Sequence, residues 1–156
     1  MKLRLIKMKS VKSTNNTAIR LIRQNKIKPT LVTSKHQLNG KGTMGKKWIS
    51  RKGNLFISIF FKIHEKKINF RQFAILNAYL VKKIITKHVA KKIEIKWPND
   101  LLINKEKISG ILQEMINYKN KMFIVIGIGI NTNITPKGKM FKATSLREVN
   151  KKKLIT

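Results

Sequence analysis

The stretch Lys96-Trp97-Pro98-Asn99-Asp100 decides the predicted fold, and it contains the only aspartate of the chain. Residues 93–96, Ile-Glu-Ile-Lys, alternate apolar and charged side chains, which is typical of a short strand. Pro98 ends that strand, because proline has no N–H to donate to a sheet ladder. Asn99 and Asp100 are therefore predicted at the end of a strand.

A hairpin is predicted immediately after this strand end. Residues 101–103 and 108–115 are largely apolar runs, and they flank the turn sequence Asn104-Lys105-Glu106. The hairpin returns Lys107, the last residue of the turn, to the strand end that carries Asp100. We therefore expect a carboxylate, an amide and an ammonium to converge near one edge of a sheet.

The length and composition of the chain predict one domain with a hydrophobic core. Its 156 residues are enough to bury a core, and a hydrophobic content of 42% is too high for a disordered chain. The absence of cysteine excludes disulfides, thiolate nucleophiles and cysteine-based zinc sites, and it suits a cytoplasmic location. No apolar run approaches the roughly 20 residues of a membrane span, and the basic N-terminus lacks the apolar core of a signal peptide.

His36 and His64 have no companions at metal-ligand spacing, so no metal ligand is predicted.

The net charge of +30, from 36 Lys and Arg against 6 Asp and Glu, has two interpretations. One is nucleic-acid binding, and the other is a genome-wide bias towards lysine. The lysines occur in nearly every segment, outnumber the arginines that read bases bidentately, and are not interleaved with aromatic residues. We expect a general affinity for polyanions, but no specific nucleic-acid partner.

The order of the predicted elements indicates an α+β fold. These elements are, in chain order, a strand at residues 1–8, a helix over 17–22, strands at 31–34 and 55–61, a helix from 70 to about 90, and strands at 93–96, 101–103, 108–115 and 123–130. Asn69 is a predicted cap of the long helix, and an apolar stripe that includes Ile84 and Ile85 is predicted to face the core. This order predicts a sheet with helices packed on one face. No linker or repeat divides residues 1–156, and the tail after residue 145 is predicted to lack a closing element.

Three polar or glycine-rich stretches are candidates for ligand contacts. Ser13-Thr14-Asn15-Asn16 is typical of helix N-caps, and capping alone is the default interpretation, although the hydroxyls can also face a ligand. The segment Gly40-Lys41-Gly42-Thr43-Met44-Gly45-Lys46 can close over an anion or form a plain basic turn. It is not a P-loop, because Lys47 replaces the Ser or Thr that binds magnesium. The glycines of the stretch 127–131, Gly-Ile-Gly-Ile-Asn, admit a flat ligand or mark a bulge.

Together these stretches resemble the catalytic domain of biotin–protein ligases. The matching motifs, in the order of the family over about residues 9–147, are Ser13-Thr14-Asn15, Gln37 with the loop 40–48, Gly53-Asn54-Leu55, the string at 96–100, Lys107 with Gly110, and the stretch 127–131. The string Lys-Trp-Pro-Asn-Asp followed by Lys-x-x-Gly is quite specific, whereas the other motifs are weak alone. The related lipoate ligases share the fold but lack that string.

The resemblance implies a mixed, largely antiparallel sheet of the type found in class II aminoacyl-tRNA synthetases and biotin ligases. It implies an enzyme that uses ATP and Mg²⁺ to activate biotin to biotinyl-5′-AMP. The enzyme would then pass biotin to a lysine of a biotin carboxyl carrier protein, which is a subunit of acetyl-CoA carboxylase or a related carboxylase. Two anions, the biotin carboxylate and the α-phosphate, must meet, so the site needs cations and backbone donors more than a nucleophile. Members of the family often pair through sheet edges, so a homodimer is one expectation, but the sequence leaves the oligomeric state open.

The resemblance further implies a role for each matching residue. Lys107 would bridge the biotin carboxylate and the α-phosphate, and Asp100 would receive a proton from the incoming lysine or orient that lysine. The implied biotin-binding residues are Ser13, Thr14, Asn15, Gln37, Gly40, Lys41, Thr43 and Gly110. The implied adenylate-binding residues are Lys41, Trp48, Asn99, Lys107, Gly127, Gly129 and Asn131.

Each of these roles has a structural alternative. Trp48 is expected to pack on the adenine while Asn99 and Asn131 read its edge, but Trp48 and Trp97 could instead belong to the core. Asp100 could simply pair with a lysine.

The sequence departs from the family in two ways. The family's loop reads Gly-Arg-Gly-Arg-x-Gly-Arg, and Lys41, Thr43 and Lys46 stand here in place of its arginines. Lysine keeps the charge without the planar fork, whereas Thr43 removes the charge that covers the adenylate. The family also continues into another helix and a small β-barrel domain, so this sequence is expected to be a truncated catalytic domain. No N-terminal helix-turn-helix is predicted, which argues against an operon-repressor role.

Two alternatives to a ligase stay open at this point. A truncated relative could bind biotin or a carrier protein without catalysis, which predicts binding without release of pyrophosphate. A basic nucleic-acid-binding protein would have an affinity for DNA or RNA that falls steeply with salt, and it would not respond to biotin.

Overall fold

A seven-stranded sheet forms the centre of the protein in a computed structural model that describes residues 3–64, 69–138 and 141–150. The elements are, in chain order, β1 (Arg4–Met8), α1 (Thr14–Arg23), β2 (Thr30–Ser34), β3 (Gly40–Lys41), β4 (Lys47–Trp48), β5 (Leu55–Ile63), α2 (Phe70–Ile85), β6 (Glu94–Lys96), β7 (Asp100–Ile103), β8 (Glu106–Tyr118), β9 (Lys121–Ile130) and α3 (Leu146–Asn150). Short 3₁₀ turns lie at Thr43–Gly45 and Thr86–His88.

The strand order in the sheet is β1-β2-β5-β9-β8-β7-β6. Only β1 and β2 pair in parallel, and every other pair in this sheet is antiparallel. The predicted α+β class with a mixed, largely antiparallel sheet is therefore confirmed, and β1 lies at one edge of the sheet. β3 and β4 form a separate two-stranded ribbon.

The two longer helices cover opposite faces of the sheet. Phe123 and Val125 of β9 pack in one cluster with α1, whereas Ile124 and Ile126 pack in another with α2. Successive side chains of a strand point to opposite faces, so the prediction that all helices pack on one face is wrong. The physical reason is the sequence of β9, which is apolar on both faces and needs cover on both.

The helix boundaries differ from the predicted ones. α1 begins at Thr14, one residue after its N-cap Ser13, so the polar stretch forms the first turn of the helix and does not precede it. α2 starts after its predicted cap Asn69 but ends at Ile85, short of the predicted end near residue 90. The chain leaves the helix there because Val89 is extended and its side chain returns to the core.

The predicted core stripe of α2 is only partly correct. Ile85 is buried, but Ile84 is 61% exposed and does not belong to the core. The tail also differs from the prediction, since α3 follows Ser145 and buries Leu146 in the core cluster of α2. Residues 151–156, on which the rest of that prediction falls, lie outside the described residues.

The predicted hairpin after the string at residues 96–100 is present, with a tighter turn. Asn104 and Lys105 both have positive φ angles, 50° and 64°, as in the two-residue turns that match the twist of paired strands. Lys107 is therefore the second residue of β8 and not the last residue of the turn. No helix in residues 3–64, 69–138 and 141–150 is long and apolar enough to span a membrane.

Candidate functional site

A cavity of about 740 Å³ opens between the glycine-rich ribbon, the start of α1 and the central strands. Every predicted site residue except Gly40 lines it. Gly40 lies in the ribbon instead, pairs with Trp48 and is buried. The fold thus brings together stretches that are separated by more than a hundred residues in the sequence.

The floor of the cavity is a set of polar side chains at the start of α1. Gln37 Oε1 accepts hydrogen bonds from the backbone N–H of Thr14 at 2.8 Å and from its Oγ1 at 3.1 Å. Gln37 Nε2 donates to Ser50 Oγ at 3.0 Å. Ser13, Thr14 and Asn15 are all buried, because they form the first turn of a helix that packs against the sheet. The floor is therefore neutral, polar and held rigidly.

Two residues that hold the floor from outside the cavity lining were missed by the sequence analysis. Ser58 Oγ lies 2.8 Å from Thr14 Oγ1 and 2.5 Å from Asn15 Oδ1. Glu114 Oε2 accepts a hydrogen bond from Asn15 Nδ2 at 2.7 Å, and its Oε1 lies 3.2 Å from Lys41 Nζ. For Ser58 the available signal was a hydroxyl inside an apolar run of β5. Glu114 stands beside Gln113 in a strand with several polar residues, so no comparable signal marked it.

Trp48 lies over a notch made by two glycines. A Cβ atom added at Gly129 would stand 2.5 Å from the indole ring, and one added at Gly110 would stand 2.6 Å from it. Only glycine leaves room for the ring at these two positions. The indole Nε1 is buried and has no hydrogen-bond partner within the described residues. Trp48 thus belongs to the cavity wall, and Trp97 is 69% exposed, so the core alternative fails for both tryptophans.

A β-bulge explains the three-residue spacing of Lys107 and Gly110. Leu102 pairs with Lys107, whereas Asp100 pairs with Gly110, and the register shifts between them. Paired residues share a face of the sheet, so the extra residue in β8 lets Lys107 and Gly110 face the same side despite their odd spacing. The ammonium and the glycine notch therefore face one cavity.

Lys107 and Asp100 form an ion pair on the cavity wall, with 2.7 Å between Nζ and Oδ1. The Lys107 ammonium also lies 5.4 Å from the centroid of the Trp48 ring. Asp100 thus pairs with a lysine, and the pair lies inside the candidate site. The lysines that line the cavity are Lys41, Lys46, Lys47, Lys96, Lys105, Lys107 and Lys142, and Asp100 is the only carboxylate among the described lining residues. This composition favours an anionic ligand.

Asn131 lines the cavity and has one side-chain acceptor without a partner in the described residues. Its Nδ2 donates to the carbonyl oxygens of Lys107 at 3.3 Å and Thr144 at 3.1 Å. Its Oδ1 is buried and has no partner in the described part of the chain. An unsatisfied buried acceptor costs about 1–3 kcal/mol, so a ligand N–H would be stabilising there. The Nδ2 of Asn99 donates a hydrogen bond to the carbonyl oxygen of Ile111 at 2.9 Å.

Comparison with known proteins gives consistent matches. The profile of the Biotin/lipoate A/B protein ligase family matches residues 7–131. The bifunctional ligase/repressor BirA of Bacillus subtilis (strain 168) is 36% identical over 126 residues, which is 80% of this chain and 39% of that protein. The biotin–[acetyl-CoA-carboxylase] ligase of Paracoccus denitrificans is 27% identical over 103 residues, or 64% of this chain and 43% of that protein.

A solved structure with a similar fold contains ligands. The biotin protein ligase from Aquifex aeolicus in complex with biotin and ATP superposes with a TM-score of 0.80 at 31% identity, and the match covers 97% of this chain and 62% of that one. The present chain therefore spans about two fifths of the curated relatives and less than two thirds of this solved structure.

Proposed function

The chain belongs to the biotin/lipoate A/B protein ligase family, and from this premise we propose that it is an ATP-dependent biotin–protein ligase. It would activate biotin to biotinyl-5′-AMP and transfer biotin to a lysine of a carrier protein. The observation that carries the proposal is the position of the Lys107–Asp100 pair, 2.7 Å apart on the wall of a cavity with a neutral polar floor. One cavity thus offers a cation for reacting anions and a separate surface for an uncharged polar group.

Biotin is proposed to bind at the floor. Its ureido ring is a compact, uncharged hydrogen-bonding group, and the side chains of Ser13, Thr14 and Gln37 offer hydroxyls and an amide for such a group. Asn15 contributes less directly, since its Nδ2 already donates to Glu114 and to the carbonyl oxygen of Leu112. The carboxylate end of biotin would then extend towards Lys107.

The nucleotide is proposed to bind beside Trp48, in the part of the cavity lined by the ribbon and Asn131. The face of the Trp48 ring would stack on the flat purine, and the Asn131 side chain, whose Oδ1 has no partner in the described residues, would face its polar edge. The lysines that line the cavity would neutralise the phosphates. Mg²⁺ would enter with ATP and be held chiefly by phosphate oxygens, because the described residues contain no group of three His, Cys, Asp or Glu side chains that could hold it. When bound, Mg²⁺ withdraws charge from the phosphates.

In the first step a biotin carboxylate oxygen attacks the α-phosphorus of ATP, and pyrophosphate leaves with the electrons of the broken P–O bond. The Lys107 ammonium would lie between the two approaching anions and stabilise the charge that accumulates there. Asp100 would keep this ammonium in place in the free protein. Positioning of this kind lowers the barrier without a covalent protein intermediate.

In the second step the amine of a carrier lysine attacks the biotinyl carbonyl carbon, and AMP leaves. The amine must lose a proton as the amide bond forms, and Asp100 is the carboxylate proposed to accept that proton or to orient the amine. The proposed carrier is a biotin carboxyl carrier protein of acetyl-CoA carboxylase, in line with the activity named for the Paracoccus relative. We also propose a cytoplasmic location and a homodimer paired through a sheet edge, β1 or β6.

The deciding experiment measures release of pyrophosphate from ATP and Mg²⁺ by the purified 156-residue chain, with biotin, with lipoate and with neither. Release that requires biotin and is not supported by lipoate would support the proposal. Thermal unfolding with and without biotin is measured in parallel. The ligase proposal fails if biotin elicits neither release of pyrophosphate nor a rise in Tm, and biotin binding without release would indicate a binding fragment.

A further inference from the structure

Glu114 connects two parts of the cavity that are far apart in the sequence. Its side chain lies on the same face of β8 as the glycine notch, and its two oxygens bind different elements. Oε1 pairs with Lys41 Nζ of the ribbon at 3.2 Å, and Oε2 accepts from Asn15 Nδ2 of α1 at 2.7 Å. One carboxylate therefore joins the ribbon to the cavity floor.

The placement of this carboxylate is selective. The chain has 36 Lys and Arg residues, so any exposed acid would be expected to find a lysine nearby. Yet Glu94 and Glu106 form no ion pair, and the two ion pairs among the described residues are those of Glu114 and Asp100. Both bind residues that line the cavity, since Asp100 pairs with Lys107 and Glu114 binds Lys41 and Asn15. Abundance of lysine alone does not account for this arrangement.

The floor end of the link is rigid. Asn15 is buried, its Oδ1 lies 2.5 Å from Ser58 Oγ, and its Nδ2 also reaches the carbonyl oxygen of Leu112 at 3.4 Å. A side chain held on three sides has little freedom to move, so it fixes the orientation of the Glu114 carboxylate. The carboxylate in turn presents its second oxygen to the ribbon.

The outer end of the ribbon, residues 41–46, is held less firmly than its base. The base is anchored, because Gly40 is buried and Trp48 packs on the glycine notch. Lys41 is exposed, and Thr43–Gly45 at the tip are not buried. The ribbon does not pair with the main sheet, and an isolated two-stranded hairpin is only marginally stable in water. The ion pair with Glu114 is therefore expected to matter for the position of this outer end.

We propose that Glu114 is a positioning residue that holds the ribbon over the cavity by linking Lys41 to Asn15. Loss of its charge would loosen the outer end of the ribbon, residues 41–46, without disturbing the sheet. Lys41 and the backbone around it are proposed to contact biotin, so the link affects how tightly biotin binds. It stabilises bound biotin equally in the ground state and in the transition state of the reaction. This inference rests on the proposed function for its effect on biotin, but not for its effect on the ribbon.

The first test measures hydrogen–deuterium exchange of the full chain without ligand, by mass spectrometry of peptides that cover residues 40–48. Glu114→Gln keeps an oxygen for Asn15 but removes the charge that faces Lys41. An exposed ion pair of this kind changes an equilibrium about two- to five-fold, so exchange in this segment should be faster by that factor.

Glu94→Gln removes an exposed, unpaired carboxylate and is the matched control, with no expected change. Lys41→Met, which breaks the same pair from the exposed side, should reproduce the effect. Equal exchange in wild type and both pair variants would overturn the proposal.

The second test separates positioning from a general effect on the fold. With biotin as the varied substrate, Glu114→Gln should raise KM by the same factor and leave kcat unchanged, because it weakens binding of ground and transition states equally. In a chain that already carries Lys41→Met, Glu114→Gln should cause no further rise in KM. If Glu114 were merely structural, it would raise KM by the same factor with and without Lys41→Met. Faster exchange of the ribbon with unchanged affinity for biotin would overturn the role in substrate binding. A wild-type chain that does not bind biotin would count against the proposed function. The exchange experiment would still show whether Glu114 holds the ribbon.

Discussion

The ammonium of Lys107 lies 2.7 Å from the carboxylate of Asp100, across a hairpin whose register shifts by one residue. The pair places a cation where two anionic reactants are proposed to meet and a carboxylate where an amine is proposed to lose its proton. The two groups are proposed to serve different half-reactions, so substitutions should separate them.

Replacement of Lys107 should abolish adenylate formation and leave the fold intact. Lys107→Ala removes the ammonium between the carboxylate of biotin and the α-phosphate, and loss of one such electrostatic contact slows a reaction about 100- to 1000-fold. Biotin-dependent release of pyrophosphate measures the effect, and circular dichroism checks the fold. Lys121→Ala, an exposed lysine at the start of β9, is the control. Unchanged turnover in Lys107→Ala would remove Lys107 from the mechanism.

Replacement of Asp100 should affect transfer more than activation. Asp100→Asn keeps the shape of the side chain but cannot accept a proton, and loss of a general base slows a step about 100- to 10,000-fold. We expect slower biotinylation of the carrier from preformed biotinyl-5′-AMP, with a smaller loss in release of pyrophosphate. Equal losses in the two half-reactions would mean that Asp100 acts only through its pair with Lys107.

The two tryptophans should differ in their effect on ATP. Trp48→Ala removes the ring that lies over the glycine notch. Stacking of a base on an aromatic ring is worth about 1–3 kcal/mol, so KM for ATP should rise about 5- to 150-fold. Trp97→Ala truncates an exposed side chain and should leave KM for ATP unchanged. Steady-state kinetics with ATP as the varied substrate make the comparison. An equal response of the two variants would contradict the nucleotide site.

An arginine at position 43 should retain the adenylate longer. Thr43 lines the cavity but lacks the charge found at this place in the loop of the family, so Thr43→Arg should supply a cation to the adenylate phosphate. Met44→Arg adds the same charge at a side chain that is 87% exposed, and it should have no effect. Release of labelled biotinyl-5′-AMP into solution measures retention. Equal release from the two arginine variants would show that position 43 does not cover the adenylate.

The free energy of unfolding should depend far more on the hydrophobic core between α1 and the sheet than on the exposed side chains of α2. Phe60 is fully buried in that core, so Phe60→Ala should lower the free energy of unfolding by about 3–5 kcal/mol. Ile84→Ala truncates a mostly exposed side chain and should change it by less than about 0.5 kcal/mol. Urea denaturation compares the two variants. A small loss in Phe60→Ala would mean that this core is not closely packed.

Much of the site could be predicted because its motifs are local. The string at residues 96–100 and the turn after it fix a short hairpin, so the meeting of Asp100 and Lys107 follows from a few residues of sequence. The polar start of α1 and the glycines of β9 could be recognised in the same way, as capping and close-approach signals. In these cases sequence neighbours are also neighbours in space.

The sequence by itself determined most of the elements and their order along the chain, because periodicity and turn chemistry act over short ranges. Its resemblance to the ligase family supplied most of the residues that line the cavity. Only the tertiary structure decided which face of the sheet each helix covers, and it alone revealed the roles of Ser58 and Glu114. Their partners in α1 lie 43 and 99 residues away in the sequence. Contacts of that range depend on how the strands assemble, which no local pattern records.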